Sequence, residues 1–162
     1  MTLIIVDMQP YFGGSQEPWL IDNIQREIRS AKKCGDGIII LEYEGCGRTD
    51  KRVLRTLGKY PKGLVRYKDD CDGSEIAVET MEARKFDTTK VKIVGVETDA
   101  CVEATIMGLS YLLPSADIIL VADACNHETR TQRNHGRSKI RRKNIRYINT
   151  RRKIPKNLYN LH

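Results

Sequence analysis

Three side chains that could together perform nucleophilic chemistry stand at the ends of apolar stretches. Asp7 follows residues 3–6, Lys68 closes a second stretch, and Cys101 follows residues 91–96 and a short polar turn. A thiol nucleophile needs a base that takes its proton and a positive group that stabilises negative charge. A carboxylate and an ammonium supply these two functions. Each residue alone also fits a structural role, so the combination is what indicates catalysis.

The position of Cys101 at the start of a predicted helix bears on its acidity. The turn before it contains Thr98 and Asp99, and either side chain can cap a helix. Because a helix N-terminus favours negative charge, we expect the Cys101 thiol to lose its proton more easily than a free cysteine. The alternative is a buried structural cysteine, which is the commoner role of an isolated thiol.

The elements that must position these side chains alternate between strands and helices. Runs rich in Ile and Val predict six strands, at residues 2–7, 37–44, 64–68, 91–97, 116–123 and 145–149. Amphipathic stretches predict five helices, at residues 21–31 with Gly35 as a stop signal, then 50–57, 75–86, 101–113 and 127–144. We therefore predict an α/β fold, a three-layer doubly wound sandwich with a six-stranded, mostly parallel sheet. Ligands of such sheets bind beyond the carboxyl ends of the strands.

Length and hydropathy limit the class of protein. The 162 residues suit one domain, which we assign to residues 1–150, followed by a basic C-terminal tail at 151–162. No apolar run approaches the ~20 residues of a membrane span. The apolar start of the chain is too short for a signal peptide, so we expect a cytoplasmic protein with no membrane partner.

The net charge of +7 is distributed unevenly along the chain. Residues 1–128 carry a net charge of −5, whereas residues 129–162 contain twelve basic and no acidic residues. Such a block is typical of a solvated face, and it could also contact the acidic body of a neighbouring subunit. Nucleic-acid binding through residues 130–156 is the less favoured alternative, because no recognised nucleic-acid module accompanies the block.

Three sequence segments resemble those of the isochorismatase-like cysteine hydrolases. The segment DMQPYF, which begins at Asp7, is similar to their D-x-Q-x-x-F motif. The segment VGVETDACVEAT, which contains Cys101, is similar to G-V-x-T-D-x-C-V-x-x-T. The run IILVADA at 118–124 resembles their fifth strand. The order and spacing fit over residues 2–149, although the chain departs after Lys68, where many relatives have a Ser and an aromatic residue.

This resemblance implies an Asp-Lys-Cys triad of Asp7, Lys68 and Cys101. It also implies a cis peptide between Val96 and Glu97, which would help to turn the backbone N–H groups of Glu97 and Cys101 towards a common oxyanion. Relatives that cleave an ether lack the cysteine, so the resemblance implies hydrolysis of an amide or related C–N bond in a small molecule. Relatives are often dimers or larger, which implies a homo-oligomer.

Other residues near the strand ends have less defined roles. Phe12 is a candidate for the substrate wall, although core packing explains it equally well. Nicotinamidases of the family bind a metal with an Asp and histidines after the second strand, whereas this chain has Glu42 and Glu44 there and no His. We therefore expect no metal and no cofactor. We interpret both glutamates as pocket or surface residues, with weak binding of a cation as the less favoured alternative. Cys71 lacks the strand-to-helix context of Cys101 and is treated as incidental.

Two functions follow from these observations. The first is a hydrolase that cleaves a C–N bond through a thioester on Cys101, with Phe12 and Glu97 as substrate-binding residues. The second is a catalytically marginal protein of the same fold that acts as a scaffold, with its basic segment binding a polyanion or a partner subunit. The presence of all three triad residues favours the first.

Overall fold

The architecture is described by a computed structural model for residues 1–141 and 145–149. Its strands are β1 (Thr2–Val6), β2 (Gly37–Tyr43), β3 (Gly63–Lys68), β4 (Lys90–Gly95), β5 (Asp117–Cys125) and β6 (Arg146–Ile148). The α-helices are α1 (Pro18–Cys34), α2 (Lys51–Leu57), α3 (Ser74–Ala83), α4 (Cys101–Leu112) and α5 (Arg130–Arg141). The strands form one sheet in the order β3-β2-β1-β4-β5-β6, with every pairing parallel. The predicted α/β fold with a six-stranded sheet is confirmed.

The burial of β1 explains why its sequence is apolar at every position. The strand lies between β2 and β4, and Leu3 and Ile5 pack into one core cluster while Ile4 and Val6 pack into another. Helices α1 and α2 contribute to the first cluster, and α3, α4 and α5 to the second. Because side chains alternate between the faces of a strand, a strand covered on both faces needs an apolar residue at each position.

The first helix follows its sequence signals closely. Its buried residues recur at helical spacing and include Leu20, Ile21, Ile24, Ile28 and Ala31. Gly35 ends the helix with φ of 71°, a left-handed conformation that favours glycine, and its N–H donates to the Lys32 carbonyl. The helix begins at Pro18 rather than at 21, because proline suits a first helical position, where its missing N–H is not needed.

The C-terminal part of the fold includes the basic segment. Helix α5 begins at Arg130 rather than at 127, and residues 142–144 of the predicted range lie outside the described ranges. β6 pairs with β5 in parallel, so the chain completes a sixth strand after the basic helix. The proposed tail at 151–162 also lies outside the described residues. In the part of the chain that is described, no helix is long and apolar enough to cross a membrane.

Candidate active site

The carboxyl edge of the sheet brings Asp7, Lys68 and Cys101 together. Asp7 follows β1, Cys101 begins α4, and Lys68 ends β3, from which its side chain reaches past the end of β2. Lys68 Nζ lies 2.9 Å from Asp7 Oδ2, and both side chains are 0% exposed. Cys101 is 3% exposed. The three groups therefore form a buried cluster in the place expected for a ligand site of a doubly wound sheet.

The segment after β3 holds the Lys68 ammonium by its backbone. Lys68 Nζ donates to the carbonyl oxygens of Asp70, at 2.9 Å, and Cys71, at 3.4 Å, and lies 4.4 Å from the centre of the Tyr43 ring. A Cβ at Gly73 would lie 3.0 Å from the Lys68 side chain, so the segment passes close to it. The groups that hold the ammonium are backbone carbonyls, which any residue supplies.

Burial controls the acid–base properties of the cluster. Burial raises the pKa of Asp7, while the positive charge of Lys68 and the nearby Cys101 thiol oppose the rise. Neither carboxylate oxygen of Asp7 has a hydrogen-bond partner of good geometry within the described residues. The Asp7 carboxylate is thus a buried base that can still accept a proton.

The expectation that Cys101 would be more acidic than usual was wrong. Burial, followed by the charge of Asp7, raises the pKa of the thiol well above its ordinary value, and Lys68 opposes only part of that rise. A helix N-terminus stabilises a thiolate, but loss of hydration and a neighbouring carboxylate outweigh it here. The resting site therefore holds a protonated thiol next to a base.

The turn before Cys101 is built differently from the expectation. No cis peptide occurs in the described ranges, so the expected cis bond between Val96 and Glu97 was wrong. The chain turns instead through a positive φ of 60° at Glu97, whose carbonyl accepts the N–H groups of Ala100 and Val102. As the first helical residue, Cys101 has a backbone N–H with no acceptor inside the helix. That N–H is available to an oxyanion.

The capping of α4 also differs from the prediction. Ala100 occupies the cap position, and no side chain caps the helix. The hydroxyl of Thr98 donates instead to the Asn126 carbonyl at 2.6 Å. Asp99 pairs with His135 at 2.7 Å and with Lys139 at 3.0 Å. Both candidate caps thus connect the turn to the segment after β5.

Helix α5 packs against the turn at residues 97–100, which precedes Cys101 in the same chain. In addition to the Asp99 contacts, Lys139 pairs with Glu103 in the first turn of α4, at 3.2 Å. Arg137 donates to the carbonyl oxygens of Ala122 and Cys125 at the end of β5. Part of the predicted basic segment therefore contacts the acidic part of the same chain, at the turn that presents the nucleophile.

The close approach of α5 to this turn leads to a stability prediction. A Cβ at Gly136 would clash with the backbone of Thr98, so Gly136→Ala should lower the free energy of unfolding by about 1–3 kcal/mol, although alanine is the better helix former. Chemical denaturation measures the loss. Ser138→Ala, at an exposed position of the same helix, should stay within about 0.5 kcal/mol of wild type. An equally stable or more stable Gly136→Ala protein would contradict the packing.

The hydrogen bonds of Gln9 explain why the D-x-Q-x-x-F motif contains a glutamine. Its side-chain amide donates to the carbonyl oxygens of Tyr43, at 2.9 Å, and Gly47, at 2.6 Å, and its oxygen accepts the Tyr43 N–H at 2.7 Å. These bonds connect the residues after β1 to the end of β2. They hold the segment that carries Asp7 against the strand over which Lys68 extends.

Phe12 lies in an aromatic group near these segments. Its ring centre is 5.3 Å from that of Tyr11 and 6.5 Å from that of Tyr43, with edge-on geometry in both pairs. Phe12 is half-buried against the core, whereas Tyr11 is exposed. Because the Tyr43 ring also contacts Lys68, the group borders the buried cluster. A substrate-binding role for Phe12 stays a prediction.

The two glutamates after the second strand do not fit a metal site. Glu42 is buried, and its carboxylate accepts the N–H of Thr49 at 2.7 Å, which is a structural role that we did not predict. Glu44 is exposed, which fits the surface rather than the pocket interpretation. Among residues 1–141 and 145–149, no group of three His, Cys, Asp or Glu side chains could hold a metal ion.

An open groove elsewhere on the surface holds none of the clustered residues. It lies between α1 and α2, has a volume of about 410 Å³, and is lined by Gln25, Arg29, Lys32, Arg52, Arg55 and Thr56. Helices α1 and α2 cover the face of the sheet opposite to that of Cys101. We therefore locate the site by the chemistry of the buried cluster rather than by this groove.

Sequence reasoning missed Asn126 and His127, which follow β5 at the same edge of the sheet. The Asn126 carbonyl accepts the N–H of Thr98, at 3.2 Å, as well as its hydroxyl. His127 Nε2 lies 2.9 Å from Glu97 Oε2. Their position directly after an apolar strand was the signal that could have identified them.

Comparison with solved structures identifies the fold, although no family profile and no curated protein sequence matches the chain. The MAR1 ribonuclease of Caenorhabditis elegans superposes with a TM-score of 0.79 at 21% identity, over 91% of this chain and 76% of that one. The nicotinamidase SaPncA of Staphylococcus aureus gives 0.76 at 20% identity, over 90% and 96%. An isochorismatase family protein of Desulfovibrio vulgaris gives 0.73 at 16%, over 91% and 93%.

These likenesses show that the chain has the isochorismatase-like fold. The predicted resemblance is confirmed at the level of the fold, over nine-tenths of the chain.

Proposed function

We propose that the protein is a cysteine hydrolase that cleaves a C–N, amide-like bond of a small molecule through a thioester on Cys101. The observation that carries this proposal is the buried Asp7–Lys68 pair beside the buried thiol. A buried ion pair is a weak stabilising device, because desolvation offsets its attraction. Its place next to a nucleophile, at the ligand-binding edge of the sheet, favours catalysis.

The first half of the reaction forms the thioester. The Cys101 sulfur attacks the carbonyl carbon while its proton passes to Asp7, whose raised pKa makes it a stronger base than a free aspartate. Because burial keeps the thiol protonated, proton transfer accompanies attack. Lys68 keeps the cluster near neutrality as negative charge develops, and the Cys101 N–H donates to the oxyanion. A contribution from the Glu97 N–H to this oxyanion site is part of the proposal.

The first half ends when the leaving amine takes a proton and departs. In the second half water attacks the thioester carbonyl and gives up a proton, which replaces the one that left with the amine, and the acid is released. The C–S bond breaks, and the Cys101 thiolate recovers its proton from Asp7. None of these steps requires a metal ion, which accords with the structural role of Glu42.

Of the similar structures, the nicotinamidase favours a small amide as the substrate, whereas the MAR1 ribonuclease is named for action on RNA. We propose that Phe12 packs on a planar part of that substrate, since an aromatic ring at the border of the site offers a flat apolar surface.

The test is acyl transfer to Cys101. The protein is incubated with small amides, ureas and carbamates, including nicotinamide and benzamide, and separately with the reactive ester p-nitrophenyl acetate. Intact-mass and peptide analysis should show an acyl group on Cys101, with release of amine from at least one panel member. Heat-denatured protein is the control. If Cys101 remains unmodified by every compound and no product forms, the proposal is wrong.

The scaffold alternative predicts no turnover in the same assay. Lys139 and Arg137 of α5 are engaged within the chain, and the basic residues at 142–143 and from 151 onward lie outside the described ranges. A homo-oligomer and a cytoplasmic location stay predictions.

A further inference from the structure

A second acidic side chain, Glu97, lies on the turn before Cys101, close enough to Asp7 for their charges to interact, and pairs with a histidine. His127 Nε2 is 2.9 Å from Glu97 Oε2, and the two side chains are 7% and 17% exposed, respectively. Asp7 and Lys68 have no exposed side-chain surface. Of the two carboxylates, Glu97 is therefore the one that solvent and an incoming substrate can reach.

Hydrogen bonds and a close backbone contact hold the segments that carry Glu97 and His127. The turn that carries Glu97 is bonded to the segment after β5 through Thr98 and Asn126, and Asn126 Nδ2 donates to the Gly14 carbonyl at 2.9 Å. A Cβ at Gly14 would lie 2.9 Å from the carbonyl carbon of His127, so the backbones are in close contact there. The positive φ of Glu97 is a strained conformation for a residue other than glycine, and such strain concentrates at functional sites.

The electrostatics of Glu97 differ from those of Asp7. Burial raises the pKa of Glu97; the charge of His127 opposes the rise, whereas the charges of Glu128 and Asp7 add to it. Asp7 faces the fixed cation Lys68, so the two carboxyl groups have distinct environments. Two carboxyl groups with distinct environments are a common basis for separate acid and base roles.

His127 has one nitrogen that the fold leaves unused. Its Nδ1 is buried and has no hydrogen-bond partner within the described residues. Buried polar atoms are almost always bonded, so an unpaired one calls for a water molecule or a ligand group. That nitrogen lies on the ring that holds Glu97, so a water molecule or a substrate group that bonded to it would complete the arrangement.

We propose that Glu97 is a second acid–base group of this site, which protonates the leaving nitrogen and then accepts a proton from the hydrolytic water. His127 is its positioning residue. This inference rests on the proposed function, and it assigns to Glu97 a side-chain role beyond its backbone N–H. The substrate class is then an amide whose leaving amine is basic and needs a proton to depart.

Every proton that is transferred during one catalytic cycle is accounted for. During acylation the Cys101 proton moves to Asp7, the S–C bond forms, and the C–N bond breaks as the leaving nitrogen takes the proton of the Glu97 carboxyl. During deacylation water gives its proton back to Glu97 while its oxygen bonds to the carbonyl carbon. The C–S bond breaks, and Asp7 returns its proton to sulfur. Amide and water become amine and acid, and the protein returns to its starting state.

The test separates the two halves of the reaction with p-nitrophenyl acetate. Its leaving group needs no proton, so Glu97→Gln should retain the burst of p-nitrophenolate that accompanies acylation. Deacylation should be slower by about 100-fold, the lower range for general acid–base catalysis, and the acyl protein should accumulate by mass. Amide turnover should fall at least as much. His127→Ala should likewise retain the burst and slow deacylation, but the deacylation rate should fall less than in Glu97→Gln.

A matched variant and distinct outcomes complete the experiment. Glu103→Gln makes the same change in a carboxylate of the first turn of α4, which pairs with Lys139, and should behave as wild type. Neither p-nitrophenolate release nor an acyl adduct in wild type would contradict the proposed function itself. Acylation in wild type with unchanged deacylation in Glu97→Gln would overturn this inference alone. Loss of the burst in Glu97→Gln, with Glu103→Gln unaffected, would also overturn it, because acylation of this ester does not need the Glu97 proton.

Discussion

Replacement of Cys101 by serine is expected to reduce amide turnover by at least about 1,000-fold while the fold remains intact. A hydroxyl is a much weaker acid than a thiol, and a buried carboxylate such as Asp7 is too weak a base to activate it. Serine has nearly the volume of cysteine, so packing at this buried position changes little. The measurements are turnover of the best panel substrate, the intact mass after reaction with p-nitrophenyl acetate, and thermal unfolding.

The control for this prediction is the exposed cysteine at the end of α1. Cys34→Ser removes a thiol far from the cluster and should keep both turnover and the acyl adduct. Peptide analysis of the adduct must assign it to Cys101 and not to Cys71. Unchanged turnover in Cys101→Ser, or an adduct that survives the substitution, would refute the mechanism.

Replacement of Lys68 by methionine is expected to lower the free energy of unfolding by about 3–5 kcal/mol, because it leaves the Asp7 carboxylate buried without its cation. Methionine fills a similar length without charge. Activity should also be lost, since the positive group beside the oxyanion is gone. Urea denaturation and the same turnover assay measure the two effects.

The pH dependence of this loss has a definite sign. Burial already holds the pKa of Asp7 above its usual value, and removal of Lys68 takes away a group that lowers it. A raised native pKa means that the carboxyl destabilises the fold as pH rises through that pKa, and less so in acid. The stability deficit of Lys68→Met should therefore grow from acidic towards neutral pH. A deficit that is constant with pH would contradict the assignment to Asp7.

Two further variants separate stability from catalysis. Asp7→Asn combined with Lys68→Met leaves no buried charge and should recover much of the lost stability, because asparagine tolerates the φ of 51° found at this position. The double variant should remain inactive. Lys139→Met breaks an ion pair near the surface and should cost at most about 1 kcal/mol. Recovery of activity in the double variant would contradict the role of the pair.

Much of the fold could be predicted from local patterns. The uninterrupted apolar residues of β1 indicated a strand covered on both faces, and Gly35 marked the end of α1, because burial and backbone freedom are properties of single residues and short segments. The meeting of Asp7, Lys68 and Cys101 followed from the fact that parallel strands end at one edge.

The details of the site could not be predicted in the same way. Thr98 and Asp99 were expected to cap α4, but each has a partner that comes from residues 126 to 139 and is brought close only by β5 and α5. The acidity of Cys101 was predicted in the wrong direction, because its helix position is visible in the sequence whereas its burial is not. His127 was overlooked since its partner, Glu97, is thirty residues away.

The sequence by itself determined the order of the elements, the edge of the sheet at which chemistry could occur, and the three residue types that would perform it. It could do so because the apolar periodicity and the direction of the chain follow directly from the order of the residues. Only the tertiary structure decided the protonation of that cluster, the anchoring of the basic helix on its own chain, and the pairing of Glu97 with His127. These depend on desolvation and on contacts between distant segments, which arise only when the sheet has assembled.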